Sequence, residues 1–135
     1  MTEAIFRRGW QKRFESEGRG LLWRIPDSPP VVGPGGLHGA GTRPCDLVGV
    51  LTGGRACAFE VKLQKRGLVF SVDKHFRGRL HQLSALREFA RMGGYAAIVV
   101  GWVPIGKRQT EQFEIPIAEV HEGGRILLVA KKVVA

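Results

Sequence analysis

Two apolar runs joined by a glycine turn constrain the fold of this chain more than any other feature. The stretch CDLVGVLTGGRACAFEVKL, residues 45–63, reads as two β-strands that reverse direction at the TGG sequence. Three charged residues, Asp46, Glu60 and Lys62, interrupt these otherwise apolar runs. A β-hairpin that carries an unusual set of charges is therefore predicted.

The loop length decides where the three charges point. Side chains alternate along a strand, so Glu60 and Lys62 share one face. A three-residue loop sets Asp46 directly opposite Glu60 on that face, whereas a two-residue turn sends Asp46 to the other face unless a bulge corrects the register. Ala56 and Ala58 are small, so we expect open space beside the charges.

Two facing carboxylates repel each other, and this repulsion suggests a chemistry. A divalent cation between Asp46 and Glu60 removes the repulsion, and hard oxygen ligands suit Mg²⁺, for which Mn²⁺ substitutes. Lys62 is then placed to stabilise charge on a phosphate or to position and deprotonate an attacking water, which makes phosphodiester hydrolysis the simplest reaction. The alternative is that Glu60 and Lys62 form an exposed ion pair on an edge strand.

The rest of the chain predicts one mixed α/β domain over residues 1–135. A helix is predicted over 3–17, with Ile5, Trp10 and Phe14 on its apolar side, and Trp23 and Trp102 are expected in the core. Stacking on unpaired bases stays an alternative for all three tryptophans, and a dimer interface is equally open for Trp10. The other predicted elements are a strand at LLWRI, a glycine- and proline-rich loop over 27–44, a strand at LVFSV, a helix at RLHQLSALREFARMGG, a buried central strand at YAAIVVGWV, and strands at QFEIP and RILLVAKKVV separated by a helical turn at IAEV.

The composition of the chain limits the kinds of partner that it is expected to bind. The formal net charge of +9 favours a polyanion such as nucleic acid. No apolar run approaches about 20 residues and the first residues lack the apolar core of a signal peptide, which favours a cytoplasmic protein without membrane contact. Cys45 and Cys57 lack metal-site spacing and are expected as buried thiols. The basic residues expected to contact DNA phosphates are Arg7, Arg8, Arg43, Lys65, Arg66, Lys74, Arg77 and Arg79.

The order of these motifs is similar to that of a known superfamily. RPCDLVGVLTGGRACAFEVKLQKRG resembles the D…(E/D)xK core of PD-(D/E)XK nucleases. LVFSV followed by HQLSALREFARMGGYAAIVV looks like the RecU-type Holliday junction resolvases, and the archaeal Hjc resolvases are similar in outline. The resemblance covers residues 42–103 and implies a restriction-endonuclease-like α/β fold, with a central mixed β-sheet flanked by helices.

The resemblance also implies an activity and a set of site residues. A homodimer would bind four-way DNA junctions, in a bacterial cell or in a host cell if the source is a phage, and cut two strands symmetrically with Mg²⁺. Asp46 and Glu60 would be metal ligands, Lys62 the catalytic lysine and Gln82 a polar residue beside them, unless Gln82 faces solvent. A third ligand is expected from the first helix: Glu15 is chosen, with Glu3 and Glu17 as alternatives. Thr42 matches a threonine near the aspartate, and a structural role in the loop is favoured.

Two other functions remain open at this point. One is a nuclease of the same superfamily that acts on duplex, nicked or flap DNA. The other is a catalytically inactive nucleic-acid-binding module that uses the basic surface alone. An inactive module has no use for two opposed carboxylates, and this favours a nuclease.

Overall fold

The computed structural model describes residues 1–26, 31–33, 36–38, 43–106, 108–128 and 132–134. Within these residues, helices and strands follow one another in nearly the predicted order. They are α1 (Glu3–Ser16), β1 (Gly20–Arg24), β2 (Val31–Gly33), β3 (Gly36–His38), β4 (Leu47–Leu51), β5 (Ala56–Lys65), β6 (Val69–Ser71), α2 (Val72–His75), α3 (Leu80–Arg91), β7 (Tyr95–Val103), β8 (Glu111–Pro116), a 3₁₀ helix (Ile117–Glu119), β9 (Arg125–Leu127) and β10 (Lys132–Val134).

A five-stranded mixed sheet forms the centre of the fold. Its strand order is β1-β4-β5-β7-β8, and all neighbours are antiparallel except the pair β5 and β7. A parallel pair requires a crossover connection, which β6, α2 and α3 provide here. The apolar run of β7 lies between β5 and β8 and is buried along seven of its nine residues, which confirms the predicted central strand.

The hairpin β4–β5 has the register that the three-residue loop predicts. Leu47 pairs with Phe59 and Val50 with Ala56, and the Leu51 N–H donates to the Arg55 carbonyl across the loop. Thr52, Gly53 and Gly54 are thus the loop residues, with both glycines at positive φ, 101° and 102°. The ladder ends at the pair Leu47–Phe59, and the preceding residue, Asp46, donates its backbone N–H to the carbonyl of the same Phe59 and neighbours Glu60.

The two faces of the sheet bury different layers. We call the face of Phe59 and Val61 the α1 face, because Phe6, Trp10 and Phe14 of α1 pack against it. The opposite face, which carries Glu60, Lys62 and Ile98, is the α3 face, where Leu83 and Leu86 of α3 enter the core. The buried side of α1 therefore uses Phe6; the predicted Ile5 is 48% exposed.

Smaller sheets depart from the sequence prediction at two places. The segment predicted as a loop over 27–44 contains an antiparallel pair, β2 and β3, and the rest of its first sixteen residues lie outside the described part. The tail predicted as strand at RILLVAKKVV is two antiparallel strands, β9 and β10, which join β6 in a second sheet. No helix in the described residues is both long enough and apolar enough to cross a membrane.

Candidate active site

Asp46, Glu60 and Lys62 meet on the α3 face at the middle of the sheet. Asp46 and Glu60 are each 1% exposed and Lys62 is 4% exposed, so the three charges are buried. Of the two small residues expected to leave open space beside them, Ala58 is buried in the core of the α3 face and Ala56 is exposed. The alternative of an exposed ion pair on an edge strand is wrong, since β5 is an interior strand.

The Asp46 carboxylate is held from two sides. Its Oδ2 accepts a hydrogen bond of 2.8 Å from the Val61 N–H on the adjacent strand, and its backbone N–H donates to the Phe59 carbonyl. Its Oδ1 lies 2.8 Å from Nη2 of Arg43, whose guanidinium is largely buried. These contacts fix the position of the carboxylate relative to β5.

The ionised form of Glu60 is electrostatically unfavourable in the folded protein. Burial, and then the neighbouring Asp46 carboxylate, raise the pKa of Glu60 to about 8, although Lys62 acts in the opposite direction. Its Oε2 lies 3.1 Å from Lys62 Nζ, whereas Oε1 is buried and has no hydrogen-bond partner among the described residues. An ionised Glu60 is therefore short of positive charge and of donors.

Lys62 lies among groups that interact favourably with its ammonium. Its Nζ lies 3.5 Å from Oε1 of Gln82 and 4.6 Å from the centroid of the Phe76 ring, a cation–π geometry. Gln82 is 3% exposed, so the solvent-facing alternative for this residue is wrong. The structure thus brings Gln82 of α3 to the charged trio of β4 and β5.

Phe76 and His75 belong to this environment, and sequence reasoning missed both. The His75 Nε2 lies 2.6 Å from Gln64 Oε1, and its ring stacks on Phe70 at 4.2 Å between centroids. Burial, and then Lys62 and Lys74, lower the pKa of His75 to about 4, so the ring is neutral at pH 7. The sequence holds one signal for His75: Gln64, which it contacts, continues the side-chain alternation of Glu60 and Lys62 and is therefore expected on the same face.

The carboxylate pair fits a divalent cation that prefers oxygen ligands. A buried carboxylate oxygen without a donor, next to a second fixed carboxylate, is the arrangement that Mg²⁺ or Mn²⁺ neutralises. Asp46 and Glu60 have no third partner of this kind, since the described residues contain no group of three or more His, Cys, Asp and Glu side chains that could hold a metal.

Glu15 is accordingly not brought to the pair, which corrects the predicted ligand set. It is exposed on α1, and α1 packs on the face of the sheet opposite to Glu60. The alternatives Glu3 and Glu17 are exposed as well and do not complete a group within the described residues. Thr42 lies outside the described residues.

The predicted DNA-contacting residues divide into three groups. Arg7 is only 8% exposed, so it lies beneath the surface of α1 and does not offer an accessible guanidinium to phosphates. Arg43 is partly buried against Asp46. The exposed members of the set are Arg8, Lys65, Arg66, Lys74, Arg77 and Arg79.

The tryptophans and cysteines test the predicted core. Trp10 and Trp102 are each 4% exposed, which confirms the predicted core position of Trp102 and makes Trp10 a core residue instead of a base-stacking or interface residue. Trp23 is 56% exposed, so the prediction that it is buried is wrong. Cys45 and Cys57 are free and buried, as predicted.

Neither a family model nor a curated protein matches the sequence. Among solved structures, the chain is similar to Hjc of Archaeoglobus fulgidus, a Holliday junction resolvase from an archaeal hyperthermophile. The TM-score is 0.50 and the sequence identity 22%, over 87% of this chain and 77% of that one. With its five-stranded mixed sheet flanked by helices, the chain has the PD-(D/E)XK nuclease fold.

Proposed function

We propose that this protein is a metal-dependent DNA endonuclease that resolves four-way junctions by paired symmetric nicks. The observation that carries the proposal is the pair of buried, facing carboxylates, Asp46 and Glu60, with the Lys62 ammonium 3.1 Å from Glu60. The likeness to a Holliday junction resolvase supports the choice of substrate.

Asp46 and Glu60 would hold Mg²⁺, for which Mn²⁺ substitutes. When bound, such an ion supplies positive charge to phosphate oxygens and lowers the pKa of water. The chain itself contributes the orientation: the Val61 N–H fixes Asp46, and the β4–β5 ladder fixes the distance between the two acids. Burial of the site excludes bulk water and strengthens each of these charge interactions.

Lys62 is the residue that acts on the phosphate. Glu60 and Gln82 restrain its Nζ, and the Phe76 ring limits its movement on the apolar side. An ammonium held in this way donates hydrogen bonds to an oxygen on which negative charge develops, at little cost in reorganisation. Gln82 acts as a positioning residue for this ammonium.

The exposed basic residues would bind the DNA backbone. A net charge of +9 favours phosphate contacts that carry no sequence information, so binding is expected to weaken steeply with salt. Two symmetric nicks require two active sites, and a homodimer of this chain, acting in the cytoplasm, would supply them.

The test compares a four-way junction that cannot branch-migrate with a linear duplex of the same sequence, each with and without Mg²⁺. Paired nicks in the junction, dependent on Mg²⁺, are the expected result. Asp46→Asn should keep junction binding and lose cleavage, whereas Glu88→Gln, which changes an exposed carboxylate of α3, should cleave like the parent.

Each alternative has its own outcome in this assay. Equal cutting of junction and duplex would indicate a nuclease of broader substrate range. Binding without cutting under Mg²⁺ and Mn²⁺ would indicate an inactive binding module. Turnover by Asp46→Asn equal to that of the parent would refute the site, and sedimentation of a single chain on the junction would refute the dimer.

A further inference from the structure

Trp23 is a large aromatic residue that the fold leaves at the surface. Side chains alternate along β1, so Leu22 enters the core at 3% exposure while Leu21 and Trp23, on the other side, are 53% and 56% exposed. The other two tryptophans of the chain are each 4% exposed. The exposure of Trp23 therefore needs an explanation that neither α1 nor the core supplies.

Strand register places Trp23 on the α3 face, next to the carboxylate pair. Trp23 pairs with Val48, and Val48 pairs with Ala58, which belongs to the core of that face. The Ile25 N–H donates to the Asp46 carbonyl at 2.9 Å, so Trp23 is the diagonal cross-strand neighbour of Asp46. Diagonal neighbours lie roughly 7–8 Å apart, within reach of a tryptophan side chain.

The surroundings of Trp23 favour an anionic partner with a flat apolar part. β1 and β4 contain no aspartate or glutamate, and the two carboxylates near Trp23 each have a cationic neighbour, Arg43 beside Asp46 and Lys62 beside Glu60. The whole chain carries a net charge of +9. A DNA strand combines phosphates that this charge attracts with bases that stack on an indole.

A protein partner fits these observations less well. Trp23 offers at most about 140 Å² of exposed surface, from a side chain of up to roughly 250 Å². Even with Leu21 this is a small part of the about 800 Å² that each partner contributes to a stable interface. Gln11 also donates to the Leu22 carbonyl at 2.8 Å on the outer side of β1, which disfavours the addition of another strand there.

We propose that Trp23, with Leu21 beside it, is a stacking site for an unpaired nucleobase of the DNA strand whose phosphodiester enters the site of Asp46, Glu60 and Lys62. This inference rests on the proposed nuclease function and specifies its substrate class. A base in continuous duplex is stacked on both sides and is not available to an indole. The favoured substrates are therefore DNAs with an unpaired base beside the scissile phosphate, as at a branch, gap or flap.

The experiment measures binding in EDTA to three DNAs of common sequence: a four-way junction, a duplex with a single-stranded gap, and a continuous duplex. Trp23→Ala should weaken binding to the junction, the gapped duplex or both by about tenfold, and to the continuous duplex by less than twofold. Trp23→Phe, which retains an aromatic face, should recover most of the affinity. Ile105→Ala, a change at a 76% exposed residue of the β7–β8 turn, should leave all three affinities unchanged.

Intrinsic fluorescence supplies a second readout. Trp10 and Trp102 are buried, so quenching by bound DNA should report Trp23 and should disappear in Trp23→Phe. Far-UV circular dichroism should show that each variant is folded, as expected for a change at an exposed side chain.

Several results would overturn the stacking site. One is an equal loss of affinity for all three DNAs in Trp23→Ala, and another is no loss of affinity for any of them. A third is a change in the sedimentation of the free protein without a change in DNA affinity, which would indicate an interface between copies. The nuclease proposal fails separately: a protein that shows Trp23-dependent quenching but cuts no DNA with Mg²⁺ would retain the base-binding site and lose the catalytic one.

Discussion

Replacing Glu60 by glutamine tests whether the carboxylate pair destabilises the folded protein when no cation is bound. The pKa of Glu60 is raised from 4.5 to about 8 by burial and then by Asp46. A raised pKa means that the folded state holds a proton that the unfolded state releases. The free energy of unfolding must therefore fall as the pH rises from about 4.5 to about 8.

The size of this effect follows from the two pKa values. A pKa difference of this size corresponds to roughly 5 kcal/mol at pH values above both pKa values. The same two-state titration gives a loss of about 1 kcal/mol at pH 5 and about 3 kcal/mol at pH 7. Between these pH values the parent should lose about 2–3 kcal/mol of stability relative to Glu60→Gln, which cannot ionise.

Urea unfolding in EDTA, followed by circular dichroism at pH 5, 6, 7 and 8, measures this difference. Glu60→Gln also removes the contact with Lys62, so the slope of stability against pH, and not the offset between the two curves, is the informative quantity.

The matched control is Glu114→Gln. Burial alone would raise the pKa of Glu114, but hydrogen bonds donated by Arg19 and Tyr95 outweigh the effect of burial, and the pKa of Glu114 is lowered. Its stabilising effect is therefore complete above about pH 4.5, and Glu114→Gln should lower stability by the same amount at all four pH values. Parallel curves for the parent and Glu60→Gln would refute the assignment of electrostatic stress to Glu60.

Three further changes test the cation, the loop and the packing. At pH 8, Mg²⁺ should raise the melting temperature of the parent but not that of Glu60→Gln, because the cation binds the folded carboxylate pair; an equal rise in both would place the ion elsewhere. Deleting Gly53 should shift the hairpin register, turn Asp46 to the α1 face and abolish cleavage of the junction, whereas full activity would contradict the register argument. Gly49→Ala should prevent stable folding, as judged by thermal melting, because the added Cβ would lie 1.9 Å from a backbone carbonyl oxygen of β1. The Cβ of Gly9→Ala in α1 meets nothing within 4 Å, so this change should instead raise the free energy of unfolding by about 0.5–1 kcal/mol. The reverse ranking of the two variants would contradict the packing.

The sequence predicts the hairpin site because strand geometry has a period of two. Once the loop comprises Thr52, Gly53 and Gly54, the parity of the separation between Asp46 and Glu60 predicts that they share one face, and the register of the strands up to Leu47 agrees with this loop. No long-range information is needed for this step. The central strand β7 is predictable for a similar reason, since a continuous apolar run is stable in a sheet only when both faces are covered.

Features that depend on where helices pack are not predictable in this way. Glu15, the glutamate of the sequence RFE, is the metal ligand that the resemblance predicts, but Phe6, Trp10 and Phe14 direct α1 to the face opposite Glu60. Trp23 lies in an apolar strand and looks like a core residue. However, α3 packs over β5 and β7, whereas β1 is at the edge of the sheet, so Trp23 stays exposed. The pair β2 and β3 escaped prediction because each strand is three residues long and shows no alternation.

The backbone explains why the strain at the carboxylate pair cannot relax. Asp46 is tied to β5 by two hydrogen bonds, from its own N–H to Phe59 and from Val61 to its Oδ2. Glu60 lies on an interior strand with a ladder on each side, so the backbones that carry the two acids cannot move apart without breaking the sheet. The fold therefore leaves two ways to relieve the repulsion, a proton or a cation, and at a pH above about 8 the proton is lost. A site held in this state would bind a divalent ion without first rearranging, which is the property that the proposed phosphodiester-hydrolysing centre needs.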